Sequence, residues 1–95
     1  MSADEIETAA SGLVGWTATG SRLHKSWKFS DFASALGWVN RIAALAEAAD
    51  HHPDLKLGWG YVEADLTTHD RGGITDVDID LATKIDALEE AFGQG

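Results

Sequence analysis

The period of the apolar residues changes along this chain, and that change constrains the fold more than any other feature. Phe32, Ala35, Leu36, Val39, Ile42, Ala43 and Ala46 recur at the period of a helix with one buried side. On either side of that stretch the pattern alternates instead. Leu23, Lys25, Trp27 and Phe29 share one side of an extended segment over 23–29, with Arg22, His24, Ser26 and Lys28 on the other. Val62, Ala64 and Leu66 share one side of a later segment that ends near Thr68. A chain that switches period in this way cannot be a pure bundle or a pure sandwich. It needs a sheet with helices laid on it.

The remaining elements follow from local signals. Asp4 to Ala10 is a short acidic helix closed by Ser11 and Gly12, and Leu13 to Thr17 reads as a first strand before the turn Thr19-Gly20-Ser21. Lys25 interrupts the apolar side of the next strand, a placement that suits a sheet edge. Ser30 or Asp31 caps the long helix, which runs to about Ala49 before Pro53, the chain's one proline, prevents its continuation. Leu55, Leu57 and Trp59 alternate as a third strand, and Gly58 and Gly60 bracket the turn into the fourth. Thr75 caps a last helix, with Asp78 at its third position, Ile74 and Ile79 spaced as a hydrophobic staple, and a stripe of Val77, Leu81, Ile85, Leu88 and Phe92. The order α-β-β-α-β-β-α predicts an α+β fold, a four-stranded antiparallel sheet with three helices packed on one face. Ninety-five residues make residues 1–95 one domain with a marginal core, and association would help it.

Composition removes whole classes of function. With no cysteine there is no disulfide framework, thiolate metal site or cysteine nucleophile. Seven Lys and Arg against 16 Asp and Glu give a formal charge of -9, which repels nucleic acid and anionic membranes. No window approaches the ~18 apolar residues of a membrane span. The start MSADEIETAA lacks a basic-then-apolar leader, so a cytoplasmic location is expected.

The candidate chemistry gathers at two rims. His51 and His52 lie where the long helix ends and His69 where the fourth strand ends, with Glu47, Asp50, Trp59, Thr67, Thr68 and Asp70 around them. Imidazole titrates near pH ~6.5, so a group of histidines suits a reaction that protonates one atom and deprotonates another. Glu47, four residues before His51, is placed to orient that ring. Histidines at a helix C-terminus also serve simply as groups compatible with the helix dipole, and Asp78 is accounted for by capping alone. A metal is disfavoured. Adjacent histidines on a helix point roughly 100° apart, and no His-x-x-x-His pair is present. The serines have no nucleophile-elbow context, and Arg71-Gly72-Gly73-Ile74 is a turn rather than a phosphate loop.

Taken together, Glu47-Ala-Ala-Asp50-His51-His52-Pro53, Trp59, Thr67-Thr68-His69-Asp70, Gly73-Ile74-Thr75 and Asp78 resemble the pterin-4a-carbinolamine dehydratases. That family's pattern is an acid, three residues, His-His-Pro, an aromatic after five, a histidine after nine more, and a later aspartate. Trp27-Lys28-Phe29-Ser30-Asp31-Phe32-Ala33 resembles its strand-to-helix signature, and the likeness spans roughly residues 13–90. The resemblance implies dehydration of 4a-hydroxytetrahydropterin to quinonoid dihydropterin, the 4a-hydroxytetrahydrobiopterin dehydratase reaction of pterin recycling, without metal or organic cofactor. It makes His51, His52 and His69 catalytic. Asp50, Thr67, Thr68 and Asp70 would bind the pterin, largely through backbone groups, and Glu47, Trp59 and Asp78 would complete the pocket. It also implies a homodimer or homotetramer. The chain departs from some members at Val77, where they carry an arginine, and at Trp59, where animal members carry a tyrosine. Some relatives are non-catalytic interaction modules, a transcriptional dimerisation cofactor or a Rubisco assembly chaperone, and that is the competing expectation.

Overall fold

A computed structural model describes residues 2–68, 70 and 72–92. The expectations for His69, Arg71 and the side chain of Phe92 fall outside the described residues. The elements are α1 (Ala3–Ser11), β1 (Thr17–Thr19), β2 (Arg22–Lys28), α2 (Phe32–Ala49), β3 (Asp54–Gly58), β4 (Tyr61–Leu66) and α3 (Asp76–Phe92). The four strands form one antiparallel sheet in the order β1-β2-β4-β3. This is the α+β architecture that the changing period implies. Leu23, Trp27, Val62, Ala64 and Leu66 point from the sheet into a core closed by Ala35, Trp38 and Ile42 of α2 and Leu81, Ala82 and Ile85 of α3.

Helix starts follow their caps. Ser2 and Glu5 exchange the reciprocal bonds of a capping box at α1, and Asp31 accepts from Ser34 N–H at 2.7 Å at α2. That hydrogen bond holds the Asp31 carboxyl below its usual range.

Several details differ from the sequence reading. Leu13 to Thr17 is not a strand. Gly15 has φ +83°, the segment winds as turns, and only Thr17–Thr19 pairs with β2. Lys25 does not mark an edge, because β2 lies between β1 and β4. It is 8 % exposed, and its Nζ donates to Asp86 at 3.1 Å, Glu89 at 3.0 Å and the Val14 carbonyl at 3.0 Å. The same acids accept from the indoles of Trp16 and Trp27, so the buried cation is fully partnered. On α2 the side facing the sheet is Ala35, Trp38, Ile42 and Ala46, while Phe32 and Leu36 are 45 % and 41 % exposed. The helix carries two apolar stripes, and the bulk of Trp38, edge-on to Trp27, decides which one turns inward. On α3 Val77 faces out and Asp78 takes its place in the buried row.

Candidate active site

The site is built where three chain segments end. α2 terminates when Asp50 adopts the left-handed conformation, φ 51° and ψ 41°. His51 N–H then bonds the Ala46 carbonyl and Asp50 N–H the Glu47 carbonyl, the two bonds of a Schellman terminus. His51 and His52 therefore lie beyond the helix, and the helical angle between them does not apply. This changes their partners. Glu47 does not meet His51, four residues on. Its Oε2 meets Nε2 of His52, on the surface, with the two side chains 74 % and 59 % exposed. His51 turns inward, and its Nε2 lies 2.5 Å from Oδ1 of Asp78.

The other two segments hold Asp78. Beyond β4, Thr68 and Gly73 exchange backbone bonds of 2.9 and 3.3 Å, closing the intervening loop against the start of α3. At α3 one of the two bonds of the expected capping box is present: Thr75 N–H donates to Asp78 Oδ2 at 2.9 Å. Thr75 Oγ1 accepts from Val77 N–H at 3.3 Å instead of from Asp78 N–H, which bonds the Thr75 carbonyl. The Thr68 hydroxyl donates to the same Oδ2 at 2.8 Å. With its one proton so used, Thr68 accepts from the Thr75 hydroxyl, 2.8 Å away. Asp78 is completely buried, and every polar bond it makes serves this arrangement. One carboxyl thus has two faces: Oδ2 accepts from Thr75 N–H at the start of α3, and Oδ1 faces the His51 ring.

An ionised carboxylate only accepts hydrogen bonds, so a ring nitrogen facing one carries the proton. In both pairs Nε2 faces the acid, which leaves Nδ1 as the nitrogen not held by a carboxylate, an acceptor in a neutral imidazole and a donor in an imidazolium. Two consecutive histidines, each oriented by its own carboxylate, are a general acid–base arrangement. A cavity of about 350 Å³ lined by Ile6, Gly20, Ser21, Gly72, Gly73, Ile74 and Thr75 opens beside this hydroxyl chain, within the size range of small-molecule pockets.

The other candidates are placed as follows. Thr67 is buried and donates its hydroxyl to the Ser21 carbonyl at 2.7 Å. Asp50 and Asp70 are exposed at the rim. Trp59 is not brought to the cluster. It sits 73 % exposed in the β3–β4 turn, at the opposite end of β3 from His52. Thr75 belongs to the hydroxyl chain although sequence reasoning assigned it only a cap, and its place three residues before Asp78 was the available signal. Among the described residues no group of three or more His, Cys, Asp or Glu side chains is gathered as for a metal ion.

This fold and these histidine–carboxylate pairs define a small α+β protein equipped for proton transfer, and similarity to known proteins makes the class specific. The family model for pterin 4 alpha carbinolamine dehydratase matches residues 1–88. The chain is 47 % identical over 88 residues to a relative from Roseiflexus sp. strain RS-1, covering 93 % of this chain and 95 % of that one. It is 43 % identical over 90 residues to one from Metallosphaera sedula, covering 95 % and 94 %. Both carry the name pterin-4-alpha-carbinolamine dehydratase provisionally. The crystal structure of a transcriptional coactivator/pterin dehydratase from Brucella melitensis superposes with a TM-score of 0.87 at 33 % identity, over 93 % of this chain and 96 % of that one. A pterin dehydratase-like RuBisCO assembly factor of the alpha-carboxysome shares the fold, with a TM-score of 0.62 at 24 % identity over 77 % and 84 % of the two chains. The chain belongs to the pterin-4a-carbinolamine dehydratase family.

Proposed function

We propose that this chain is a working 4a-hydroxytetrahydropterin dehydratase. The observation that carries the reading is the pair of consecutive histidines, each fixed by its own carboxylate, with His51 held by the completely buried Asp78. The chemistry needs two proton movements. A base removes the proton on N5, and the N5–H electron pair forms the N5=C4a bond. The C4a–O bond breaks, and an acid protonates the departing hydroxyl so that it leaves as water. His52, on the surface beside Glu47, is assigned the acid role, since its proton must be replaced from solvent between turnovers. His51 is assigned to N5 together with His69. Asp50, Thr67, Thr68 and Asp70 bind the pterin largely through their main-chain groups, and Glu47 and Asp78 shape the pocket, whereas Trp59 lies at the far end of β3 from this cluster.

The reaction as proposed uses neither metal nor organic cofactor, and acts on free pterin in the cytoplasm. Residues 1–95 form a single dehydratase-like domain that assembles as a homodimer or homotetramer and binds neither nucleic acid nor membrane. No helix of the structure is long and apolar enough to cross a membrane. The competing reading is a non-catalytic interaction module, and the exposed Phe32 and Leu36 of α2 favour some protein contact. The two part in one assay. Enzymatically generated 4a-hydroxytetrahydropterin should disappear faster with purified protein than by spontaneous dehydration. A rate equal to the background would overturn the catalytic reading and leave the module.

A further inference from the structure

Capping at the start of α3 uses only the oxygen of the Thr75 hydroxyl, which accepts from Val77 N–H at 3.3 Å. The hydroxyl proton is left to find an acceptor of its own. Thr68 Oγ1 lies 2.8 Å away, and it is itself 2.8 Å from Oδ2 of Asp78. Both threonines are half-buried, and Asp78 is completely buried, so a charge on its carboxyl depends on the donors around it. Thr75 N–H and the Thr68 hydroxyl supply Oδ2, and His51 faces Oδ1. Of the two oxygens beside Thr68 the carboxylate is the stronger acceptor, so the Thr68 proton goes there and the Thr75 proton goes to Thr68. One direction then runs through the series, from Val77 N–H to Thr75, to Thr68, to Asp78.

We infer that the side chains of Thr68 and Thr75 are positioning groups for the dehydration, acting on the substrate through Asp78 and His51. A buried carboxyl short of donors takes up a proton. Protonated Asp78 would donate from Oδ1 to Nε2 of His51, the ring's own proton would sit on Nδ1, and the lone pair for N5 would be lost. Hydrogen bonds to an ionised carboxyl are roughly twice as strong as those to a neutral one, so every donor at Oδ2 favours the ionised form. Thr68 supplies such a donor directly. Thr75 acts at one remove, because a hydroxyl that receives a hydrogen bond donates a stronger one. The two backbone bonds between Thr68 and Gly73, 2.9 and 3.3 Å, fix the end of β4 against α3 and keep the three oxygens in line. The effect on rate rests on the dehydratase reading, whereas the effect on the ring does not.

Valine keeps the shape of threonine and removes the hydroxyl, so Thr68→Val and Thr75→Val test the series at both oxygens. The first loses a bond to a charge and the second a bond between neutral groups. Turnover, kcat, should accordingly fall about tenfold to a hundredfold in Thr68→Val and about twofold to tenfold in Thr75→Val. KM should hold in Thr75→Val, and a raised KM at parental kcat would make Thr75 a substrate contact and overturn the inference. Thr75→Ser restores the hydroxyl and should recover kcat; serine as impaired as valine overturns it. Placed in an Asp78→Asn chain, Thr75→Val should cost little further, since the ring proton has already moved, and a fully additive loss overturns it. ¹⁵N spectra of the His51 ring need no substrate. The form with its proton on Nδ1 should gain population in both valine variants, most in Thr68→Val, and unshifted ring signals in both overturn the inference. Thr68→Val carries these measurements alone if Thr75→Val does not fold. A parent without turnover refutes the dehydratase reading, and the ring spectra still decide whether the two hydroxyls govern the His51 proton.

Discussion

Replacing Asp78 with asparagine should separate the two duties of this carboxyl, because the hydrogen-bond inventory dictates which way the amide must face. Oδ2 accepts from both Thr75 N–H and the Thr68 hydroxyl, so the amide oxygen stays at that position and the NH₂ falls opposite Nε2 of His51. An NH₂ group facing the ring forces Nε2 to accept, and the ring proton moves to Nδ1. The outward nitrogen then has no lone pair to offer N5 of the substrate. A wrong-tautomer histidine costs ~10²–10⁴ in rate, or about 2.7–5.5 kcal/mol of barrier. Stability should change much less. Bonds to a charged group contribute about 1.5–3 kcal/mol and neutral ones about 0.5–1.5, so a loss of about 1–2 kcal/mol is expected. With a urea m-value of ~1–3 kcal/mol/M, the midpoint should fall by about 0.3–2 M. Steady-state kinetics and urea titration read the two effects, and ¹⁵N spectra of the His51 ring read the tautomer directly. A parent with its proton on Nδ1, or an Asp78→Asn chain with parental kcat/KM, would refute the assignment.

Four further outcomes are expected. His51→Ala, His52→Ala and His69→Ala should each lower kcat/KM by ~10²–10⁴, while His24→Ala, on the outer face of the sheet beside Asp65, should keep near-parental rates. Lys25→Met should cost about 2–4 kcal/mol in urea unfolding, because it leaves Asp86 and Glu89 facing each other without their cation; an unchanged midpoint would mean that the buried pairs contribute nothing. The Asp31 carboxyl is depressed by its bond to Ser34, so its capping contribution is present above the ordinary carboxylate range and is lost as pH falls through the depressed value. The Tm difference between parent and Asp31→Ala should therefore vanish in acid and be full at neutral pH. Dialysis against a strong chelator should leave turnover unchanged, and a loss restored by Zn²⁺ would recast the histidines as ligands.

What was legible in the sequence, and what was not, follows from the range of the forces involved. The alternation in β2 and β4 and the cap of α3 are local signals, and the fold class rests on them. Lys25 was misread because its partners, Asp86 and Glu89, lie 61 and 64 positions away, and no window contains both. Asp78 escaped the apolar stripe for a related reason. A pattern that counts hydrophobic residues cannot admit a carboxyl to the core, yet positions 78, 81, 82 and 85 form the buried row of α3. The most consequential difference came from a single backbone conformation. Continuing the helix through residue 51 would pair Glu47 with His51 and leave Asp78 buried without a ring to face. The left-handed turn at Asp50 instead hands Glu47 to His52 and releases His51 toward Asp78. Asp50 is among the few residue types that tolerate this conformation, so its presence just before the histidine pair decides which acid each ring meets. The chemistry of the site is thus set by how α2 stops. A change at Asp50 that disfavoured the left-handed turn would exchange the histidines' partners without touching either ring.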